Sequence, residues 1–355
     1  MKYHRCMGAP IAAVLVGCMV SSHALPQGNQ KLAQTGFQFL SVVSDARAAA
    51  MGEAMTSMRF GAASLFFNPA GMARLDGLLD ISGSTNKWIA DITHVTASVA
   101  VSPFNGDYGT FGLSIQHVDY GDFYGTRVNS ASLLGYDDTG IFSLKASALG
   151  LGYAKQLTEQ FSVGGHVRWV HQDLGESATA VNIRTYYPGT DSSYRLADTA
   201  IVGNRLSPFV FDIGTQFRTG FKSLVFGMSV RNFSGEVSYA SEGFQAPLVF
   251  TLGLSMDLMD LTGNMGIDQS LYCSIDASHH RDYPEQVKLG MEYVFMQTLA
   301  LRIGYASSNN DETGTSYGIG VSRFGLAVDY AYTPYGVFGS VQRLTVRYLY
   351  DPRKD

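Results

Sequence analysis

Cysteine is scarce in this chain of 355 residues, which contains only three. Cys6 and Cys18 lie near the N-terminus, and Cys273 lies in a stretch that is predicted to be a β-strand. A small secreted domain that depends on disulfides needs paired cysteines spread along the chain. The cysteine content therefore excludes a disulfide framework.

Charged residues are also few. Asp, Glu, Lys and Arg make up 15% of the chain, and the formal net charge is −5. A chain of this charge has no basic surface of the kind that binds nucleic acid, so nucleic acid is not expected as a partner. The chain is instead rich in glycine, with 39, and has 20 Tyr and 21 Phe. This composition suits tight turns and a large non-aqueous contact surface.

Long apolar runs are missing after the N-terminus. A transmembrane helix needs about 20 mostly apolar residues, and no such run follows residue 24. If the chain spans a membrane, it therefore does so with strands.

The first 24 residues have the pattern of an export signal. Lys2 and Arg5 precede an apolar run over residues 11–20, and Ser22-His23-Ala24 offers small residues for cleavage. We expect residues 1–24 to be a signal peptide. The sequence leaves one alternative open, in which Leu15-Val16-Gly17-Cys18 is a lipoprotein processing site and Cys18 is lipidated.

Alternation of apolar and polar residues dominates the rest of the chain. A strand with lipid on one side and water on the other changes polarity at every residue. In the clearest example, Val163, Val167 and Trp169 fall on one face, and His166 and Arg168 fall on the other. Fourteen such stretches occur, at residues 78–87, 92–102, 109–119, 141–156, 161–174, 207–218, 222–231, 248–257, 267–278, 286–294, 298–305, 314–322, 325–332 and 343–350.

The connections between these stretches alternate in length. Hairpin-length turns occur at Asn105-Gly106 and Thr219-Gly220, whereas residues 121–140 and 175–206 are predicted to be long loops. Short periplasmic turns, long outer loops and an even strand number are typical of bacterial outer-membrane barrels. We predict an all-β transmembrane antiparallel barrel over residues 77–350, followed by a polar tail at residues 351–355. A soluble β-sandwich is the alternative, and the connection lengths disfavour it.

The segment before the first strand has no strand pattern. Alanines follow Asp45, which could cap a short helix, and Pro69 imposes a bend. A fourteen-strand barrel is too wide for its own side chains to fill, so we predict that residues 25–76 form a hatch in the lumen. Arg47 and Glu53 would then meet polar wall residues. The candidates for lumen-facing polar residues are His166, Arg168, Asp212, Arg218, Glu292 and Arg302. A periplasmic tail packed under the barrel mouth is the alternative.

Residues 36–71 carry motifs that can be compared with known families. Gly36-Phe37-Gln38-Phe39-Leu40, Asp45-Ala46-Arg47-Ala48, Met51-Gly52-Glu53-Ala54 and the stretch from Ala63 to Gly71 resemble the N-terminal signature of the PorV/PorQ family of outer-membrane proteins. The triplet Asn68-Pro69-Ala70 also resembles the hatch motif of FadL-type transporters. We assign the hatch motif to Arg47, Gly52, Asn68, Pro69, Ala70 and Gly71.

The two resemblances imply different functions. PorV/PorQ proteins imply handling of protein substrates of type IX secretion at the outer membrane of a Gram-negative-type bacterium, with secreted proteins and secretion-machinery components as partners. FadL-like proteins imply transport of hydrophobic small molecules, such as long-chain fatty acids or aromatics. We take the first as the leading prediction and the second as the alternative. Outer-membrane lipid is a partner in both.

Motifs of catalysis and metal binding are missing from the sequence. It contains no His-Glu-x-x-His pair and no Gly-x-Ser-x-Gly elbow. His279-His280 with Asp276 could be metal ligands, and residues 309–312 could hold calcium, but hydrophilic loops explain both better. We expect neither enzymatic activity nor a cofactor.

Overall fold

The structure is a computed structural model that describes residues 35–129, 132–186, 194–239, 243–262, 268–307 and 314–352. The predicted signal peptide, the alternative site at Cys18 and the candidate calcium loop at residues 309–312 lie outside the described residues. So do residues 25–34 of the predicted hatch and the last three residues of the predicted C-terminal tail.

Seventeen strands are described, numbered in chain order. They are β1 (Leu79–Lys87), β2 (Thr93–Val101), β3 (Thr110–Val128), β4 (Tyr136–Gln156), β5 (Phe161–Tyr186), β6 (Tyr194–Leu206), β7 (Phe209–Arg218), β8 (Val225–Ser234), β9 (Val237–Ser238), β10 (Gly243–Phe244), β11 (Val249–Asp257), β12 (Gln269–His280), β13 (Gln286–Phe295), β14 (Leu299–Ala306), β15 (Thr315–Arg323), β16 (Leu326–Pro334) and β17 (Ser340–Tyr350).

The main sheet closes into a barrel because β1 pairs antiparallel with both β2 and β17. Leu79 lies opposite Val101 on one side and Tyr350 on the other. Every other neighbour in the sheet is also antiparallel, and closure leaves the wall without a free edge at the chain ends. The predicted all-β antiparallel barrel is confirmed.

The wall contains fourteen strands because β6 and β7 are two halves of one. The lower half of β5 pairs with β7, where Phe161 lies opposite Phe217, and its upper half pairs with β6, where Gln172 lies opposite Leu206. Ser207 and Pro208 separate the two halves, and proline has no amide hydrogen to give to a ladder. The strands β9 and β10 form a separate small hairpin in the connection that follows β8.

The prediction of long loops at residues 121–140 and 175–206 is wrong. β3 continues to Val128, β4 begins at Tyr136 and β5 has 26 residues. At about 3.3 Å per residue, β5 extends over roughly 86 Å, far more than a hydrocarbon core of about 30 Å. In the extensions of β3 and β4, most side chains on both faces are exposed, so the alternation of polarity that marks a wall strand stops although the strand continues.

The two faces of the wall differ in polarity as the alternation predicts. In β5, Val167 and Trp169 point outward and are 42% and 44% exposed, whereas His166 and Arg168 point inward and are 1% and 5% exposed. The exposed large apolar side chains of the other strands also lie on the outer face. An apolar exterior on a closed barrel of fourteen strands belongs in lipid, and the outer membrane of a Gram-negative bacterium is where such barrels occur.

The helices are short, and four of them lie before β1. They are a 3₁₀ helix at Gln38–Ser41, α1 (Ala46–Ala50) and 3₁₀ helices at Gly61–Phe66 and Pro69–Arg74; later in the chain come 3₁₀ helices at Ile89–Asp91, Pro103–Gly106 and Gly336–Phe338, and α2 (Met259–Thr262). Among the described residues no helix is both long and apolar enough to cross a membrane.

Candidate functional site: the lumen and the hatch segment

Residues 35–76, here called the hatch segment, run through the lumen from one end to the other. Thr35 forms a bridge with Gln245, at the end of the barrel that carries the long connections, which we call the loop end. Helix α1 then packs against β14 to β17, and the 3₁₀ helix Pro69–Arg74 packs against β4, β5 and β7. The chain joins the wall at the opposite, turn end, where the amide of Leu78 donates to the carbonyl of Tyr350.

Helix α1 is held by its cap and by the wall. The Asp45 carboxylate accepts the amide of Ala48 at 2.9 Å, as an N-cap does, and the amide of Ala46 donates to the Thr345 hydroxyl at 2.8 Å. Alanine side chains let the helix approach β15 and β16 closely. The helix ends just before Gly52, whose φ of +61° favours glycine and whose added Cβ would lie 2.7 Å from the amide nitrogen of Tyr305.

Asn68 ties two parts of the hatch segment to the wall. It is 1% exposed; its Oδ1 accepts the amide of Ala70 at 3.1 Å, and its Nδ2 donates to the carbonyl oxygens of Thr56 at 2.7 Å and Thr215 at 3.0 Å. Pro69 follows in the first turn of the 3₁₀ helix, where its missing amide hydrogen costs nothing. The Asn68-Pro69-Ala70 triplet is thus a structural joint between the segment and β7.

Gly71, the last residue of the hatch motif, lies in the same helix against another part of the hatch segment. A Cβ at this position would come within 2.6 Å of the Ser64 hydroxyl oxygen. The 3₁₀ helices Gly61–Phe66 and Pro69–Arg74 therefore pack at a distance that only glycine allows here.

Glycines in the wall allow this close packing, and the sequence analysis missed them. At each of nine inward-facing glycines an added Cβ would come within 3.0 Å of an atom of the hatch segment. Their sequence signal is a glycine on the polar face near the middle of a strand. They are Gly112, Gly152, Gly164, Gly214, Gly227, Gly253, Gly290, Gly304 and Gly318.

Ion pairs join the hatch segment to the wall on the side of β13 to β16. The Arg47 guanidinium donates to the Glu292 carboxylate at 2.6 Å, and Arg302 bonds both Glu292 and, at 2.6 Å, Asp329. Burial alone would lower the pKa of Arg47, but the charge of Glu292 outweighs burial and raises that pKa above its ordinary value.

A second ion pair joins Glu53 to Lys288, with an Nζ to Oε2 distance of 2.7 Å. Burial opposes the charged carboxylate, but the ammonium and its hydrogen bond lower the pKa of Glu53. Lys288 is not among the predicted wall residues, because its strand gave no reason to prefer it over other polar positions. Both segment charges are therefore held in their ionised forms.

The predicted residues His166, Arg168 and Asp212 form a separate network within the wall. Asp212 accepts from Arg168 at 2.7 Å and lies 3.1 Å from His166 Nδ1, while His166 Nε2 lies 2.8 Å from the Ser114 hydroxyl. This has the order of a Ser-His-Asp triad, but Ser114 is 2% exposed beneath the hatch segment. In this state the network is a buried polar cluster, in which Arg168 Nε has no hydrogen-bond partner among the described residues.

Arg218, the remaining predicted lumen residue, lies apart from this network. It ends β7 and lines a cavity at the turn end of the barrel, together with Arg74 and Asp76. Neither of the two segment charges Arg47 and Glu53 forms an ion pair with it among the described residues.

The adjacent histidines of β12 point to opposite faces. His279 is exposed and lies 3.1 Å from Glu285, whereas His280 is turned inward against Tyr283. In the part of the chain that the structure describes, no group of three or more His, Cys, Asp or Glu side chains could hold a metal ion.

An apolar cluster fills the loop end of the lumen. Phe37, Phe39 and Leu40 of the hatch segment pack there against inward-facing wall residues that are apolar, although most inward positions are polar. We call this set the loop-end cluster. Its wall residues are Val118 of β3, Ala146 and Ala148 of β4, Val170 of β5, Val210 of β7 and Ala246 of the connection before β11.

The hatch segment leaves two larger cavities beside it. One, of about 460 Å³, lies at the turn end and is called the turn-end cavity. The other, of about 180 Å³, lies at the loop end between Glu53, Lys288 and Arg343.

Comparison with known proteins shows the fold. No family model and no curated protein sequence matches the chain. Among solved structures it is similar to the toluene transporter TbuX of Ralstonia pickettii (13% identity, 85% of this chain and 96% of that chain, TM-score 0.53). It is also similar to the CymD monoaromatic hydrocarbon channel (13%, 87% and 98%, TM-score 0.56) and the toluene transporter TodX of P. putida (14%, 86% and 98%, TM-score 0.53). At these identities the likeness shows the architecture alone, and the chain has the fourteen-strand fold of these outer-membrane barrels.

Proposed function

We propose that the chain is an outer-membrane channel for hydrophobic small molecules, which was the alternative prediction from its sequence. The observation that carries this proposal is the loop-end cluster. A barrel that passes only polar solutes has no reason to line part of its lumen with apolar side chains, because the lumen of such barrels is filled with water.

Phe37, Phe39 and Leu40 of the hatch segment pack against the wall residues of the loop-end cluster in the way that a ligand would. Phe37 and Phe39 are 2% and 3% exposed and belong to one buried cluster with wall residues of β3, β4, β5 and β7. If these two rings moved aside, the wall would present an apolar pocket that gains roughly 25 cal/mol for each Å² of apolar ligand surface that it buries. A hydrophobic ligand and the N-terminal part of the segment would compete for the same surface.

The backbone hydrogen-bond ladder of the wall is interrupted beside this pocket. The β5–β7 ladder ends at Trp169 and Phe209, and the β5–β6 ladder begins at Gln172 and Leu206. In the gap between them, the amide of Val170 donates to the carbonyl of Pro208 at 3.0 Å. Pro208 can donate no bond in return. We place a path between the loop-end cluster and the membrane here, where this backbone bond joins the two ladders.

The names of the similar structures agree with this proposal. TbuX and TodX are described as toluene transporters and CymD as a monoaromatic hydrocarbon channel. Those descriptions concern those proteins, and they support the same class of cargo for this chain without identifying it.

The test of this proposal introduces polar side chains into the pocket. Val170→Asn with Val210→Asn places two amides in the loop-end cluster, and the matched control Val249→Asn alters a buried inward-facing valine of β11 that lies outside it. Intact Gram-negative cells, whose lipopolysaccharide excludes the neutral fluorophore N-phenyl-1-naphthylamine, would report uptake by fluorescence. We expect the double variant to lose most of the channel-dependent uptake and the control to keep it. Equal uptake in both variants would contradict the proposal.

Handling of secreted proteins, which the PorV/PorQ resemblance implies, remains the second candidate. It is supported by the motifs of residues 36–71 and by the hairpin of β3 and β4, which projects beyond the wall with exposed apolar side chains such as Tyr124 and Leu134. Co-purification of secretion-machinery components that depends on this hairpin would favour it over the channel.

A further inference from the structure

The turn-end cavity has an unusual excess of positive charge. The cationic side chains that line it are Arg47, Arg59, Arg74, Arg218, Lys222 and Arg347, against the three carboxylates Asp76, Asp80 and Asp257. Its volume of about 460 Å³ lies in the range of small-molecule sites, which is about 300–1,000 Å³.

The carboxylates of the cavity already have partners. Asp76 pairs with Arg59 at 3.3 Å and Asp80 with Arg347 at 3.2 Å. Asp257 accepts the backbone amides of Met259 and Leu271, each at 3.0 Å. The Asp76 and Asp80 charges are thus compensated, and the Asp257 charge, which neutral amides do not cancel, can balance only one of the remaining cations.

Three cations of the cavity are left over. Arg47 pairs with Glu292, but Arg74, Arg218 and Lys222 form no ion pair within 4.0 Å among the described residues. Arg74 donates from Nη2 to the carbonyl of Glu159 at 3.0 Å, while its buried Nε has no hydrogen-bond partner in the described part of the chain.

The burial of Arg74 and the cations around it affect its pKa. Burial lowers the pKa of Arg74 to about 10, and the nearby charges of Arg218 and Arg59 act in the same direction. Like charges held together in a partly enclosed space cost free energy, and an anion between them would remove that cost. Guanidinium groups suit carboxylate and phosphate oxygens because they can donate two parallel hydrogen bonds.

We propose that the turn-end cavity binds a carboxylate or phosphate group, held by Arg74 and Arg218 with Lys222 at its rim. Apolar side chains such as Leu75 and Met256 line the same cavity, so the group can belong to a larger organic anion or to a free ion. The site lies at the opposite end of the lumen from the loop-end cluster and does not depend on the function proposed above.

The test uses the full-length barrel purified in a nonionic detergent. The probes are 2-naphthoate and 2-naphthyl phosphate, with neutral 2-naphthalenemethanol for comparison and inorganic phosphate as competitor. The variant is Arg74→Gln with Arg218→Gln. The matched control is Arg323→Gln, which removes an exposed arginine at the last residue of β15, also at the turn end of the barrel. Heat-modifiable migration on SDS gels checks that each variant is folded.

We expect both anionic probes to bind more tightly than the neutral one, and their affinity to fall as salt is raised. The double variant should bind them roughly tenfold or more weakly, because it loses the charged hydrogen bonds of two guanidinium groups, and the control should match the wild type. Displacement by inorganic phosphate indicates a free ion, and its failure indicates an organic anion. Equal binding of charged and neutral probes, or equal binding by a folded double variant, would overturn the proposal.

Discussion

At the residue scale, the hatch segment depends on a few side chains that make several bonds each. Asn68 is the clearest, since it caps one 3₁₀ helix and also bonds a distant part of the segment and the wall. Asp45 is a second, because it caps α1 from a buried position. Each can be altered without changing the shape of the barrel exterior.

Asn68→Ala should loosen the hatch segment while leaving the barrel closed. It removes four hydrogen bonds in a buried site, the weakest of them a 3.4 Å bond to the carbonyl of Met228. We expect a local destabilisation of about 2–4 kcal/mol because buried partners are left unpaired. Hydrogen exchange of residues 56–72 measures this. Asn204→Ala, on the projecting β5–β6 hairpin, removes an exposed bond to Ser177 and is the control. Unchanged exchange in Asn68→Ala would show that the triplet is not a joint.

Asp45 should make the stability of the hatch segment depend on pH. Burial, the largest cause, raises the pKa of Asp45 to about 6, above the value of about 3.9 that an unfolded chain would have. Between about pH 4 and pH 6 the folded form keeps a proton that the unfolded form has lost, so stability falls as pH rises and levels off above pH 6.

The expected loss across this pH range is about 3 kcal/mol, since each pKa unit corresponds to about 1.36 kcal/mol. Hydrogen exchange of residues 46–50, corrected for the intrinsic effect of pH, should show more protection at pH 4 than at pH 7. Asp45→Asn keeps a capping oxygen but has no charge, so it should show the same protection at both values. A pH trend that persists in the variant would assign it to another group.

At the element scale, the wall and the hatch segment fit because glycine replaces larger residues on the inner face. Gly214 of β7 lies against Asn68 and Pro69, and Gly304 of β14 lies against Met51 and Gly52. The long strands β3 and β4 illustrate the opposite case, because most of their described residues beyond the wall are exposed and their sequence is less restricted.

Gly214→Ala should displace the hatch segment, because the added methyl group would overlap the Asn68 side chain. We expect limited proteolysis to cut the segment faster in a barrel that still migrates as folded. Gly83→Ala, on the outer face of β1 with no atom within 4 Å of the added Cβ, is the matched control. Equal proteolysis of both variants would mean that the wall can relax around the methyl group.

At the scale of the whole molecule, the barrel is wider than its wall residues can fill, and the hatch segment occupies the difference. Its buried residues, from Phe37 to Met72, form most of the interior apolar surface. The lumen therefore has a tightly packed centre, with one apolar and one strongly cationic region at its two ends.

Deletion of residues 30–70 should open this lumen. In a planar bilayer we expect a barrel that still inserts to show a higher conductance than the intact protein, because water and ions replace the segment. Deletion of residues 122–141 from the projecting β3–β4 hairpin is the control and should leave conductance unchanged. Conductance that does not rise when residues 30–70 are removed would show that the segment does not close the pore.

The sequence by itself determined the barrel, its strand number and the inward or outward direction of the residues in its clearest strands, because contact with lipid imposes a rule that repeats every second residue. It also marked residues 36–71 as a distinct segment. Only the tertiary structure decided that Glu53 meets Lys288, that Arg218 joins the cations at the turn end and that β5 continues to Tyr186. The first two features depend on which distant parts of the chain meet after closure, and residues as far apart as Glu53 and Lys288, 235 positions, leave no local pattern in the chain. The third depends on a ladder with β6 beyond the membrane, where the alternation of polarity no longer marks a strand.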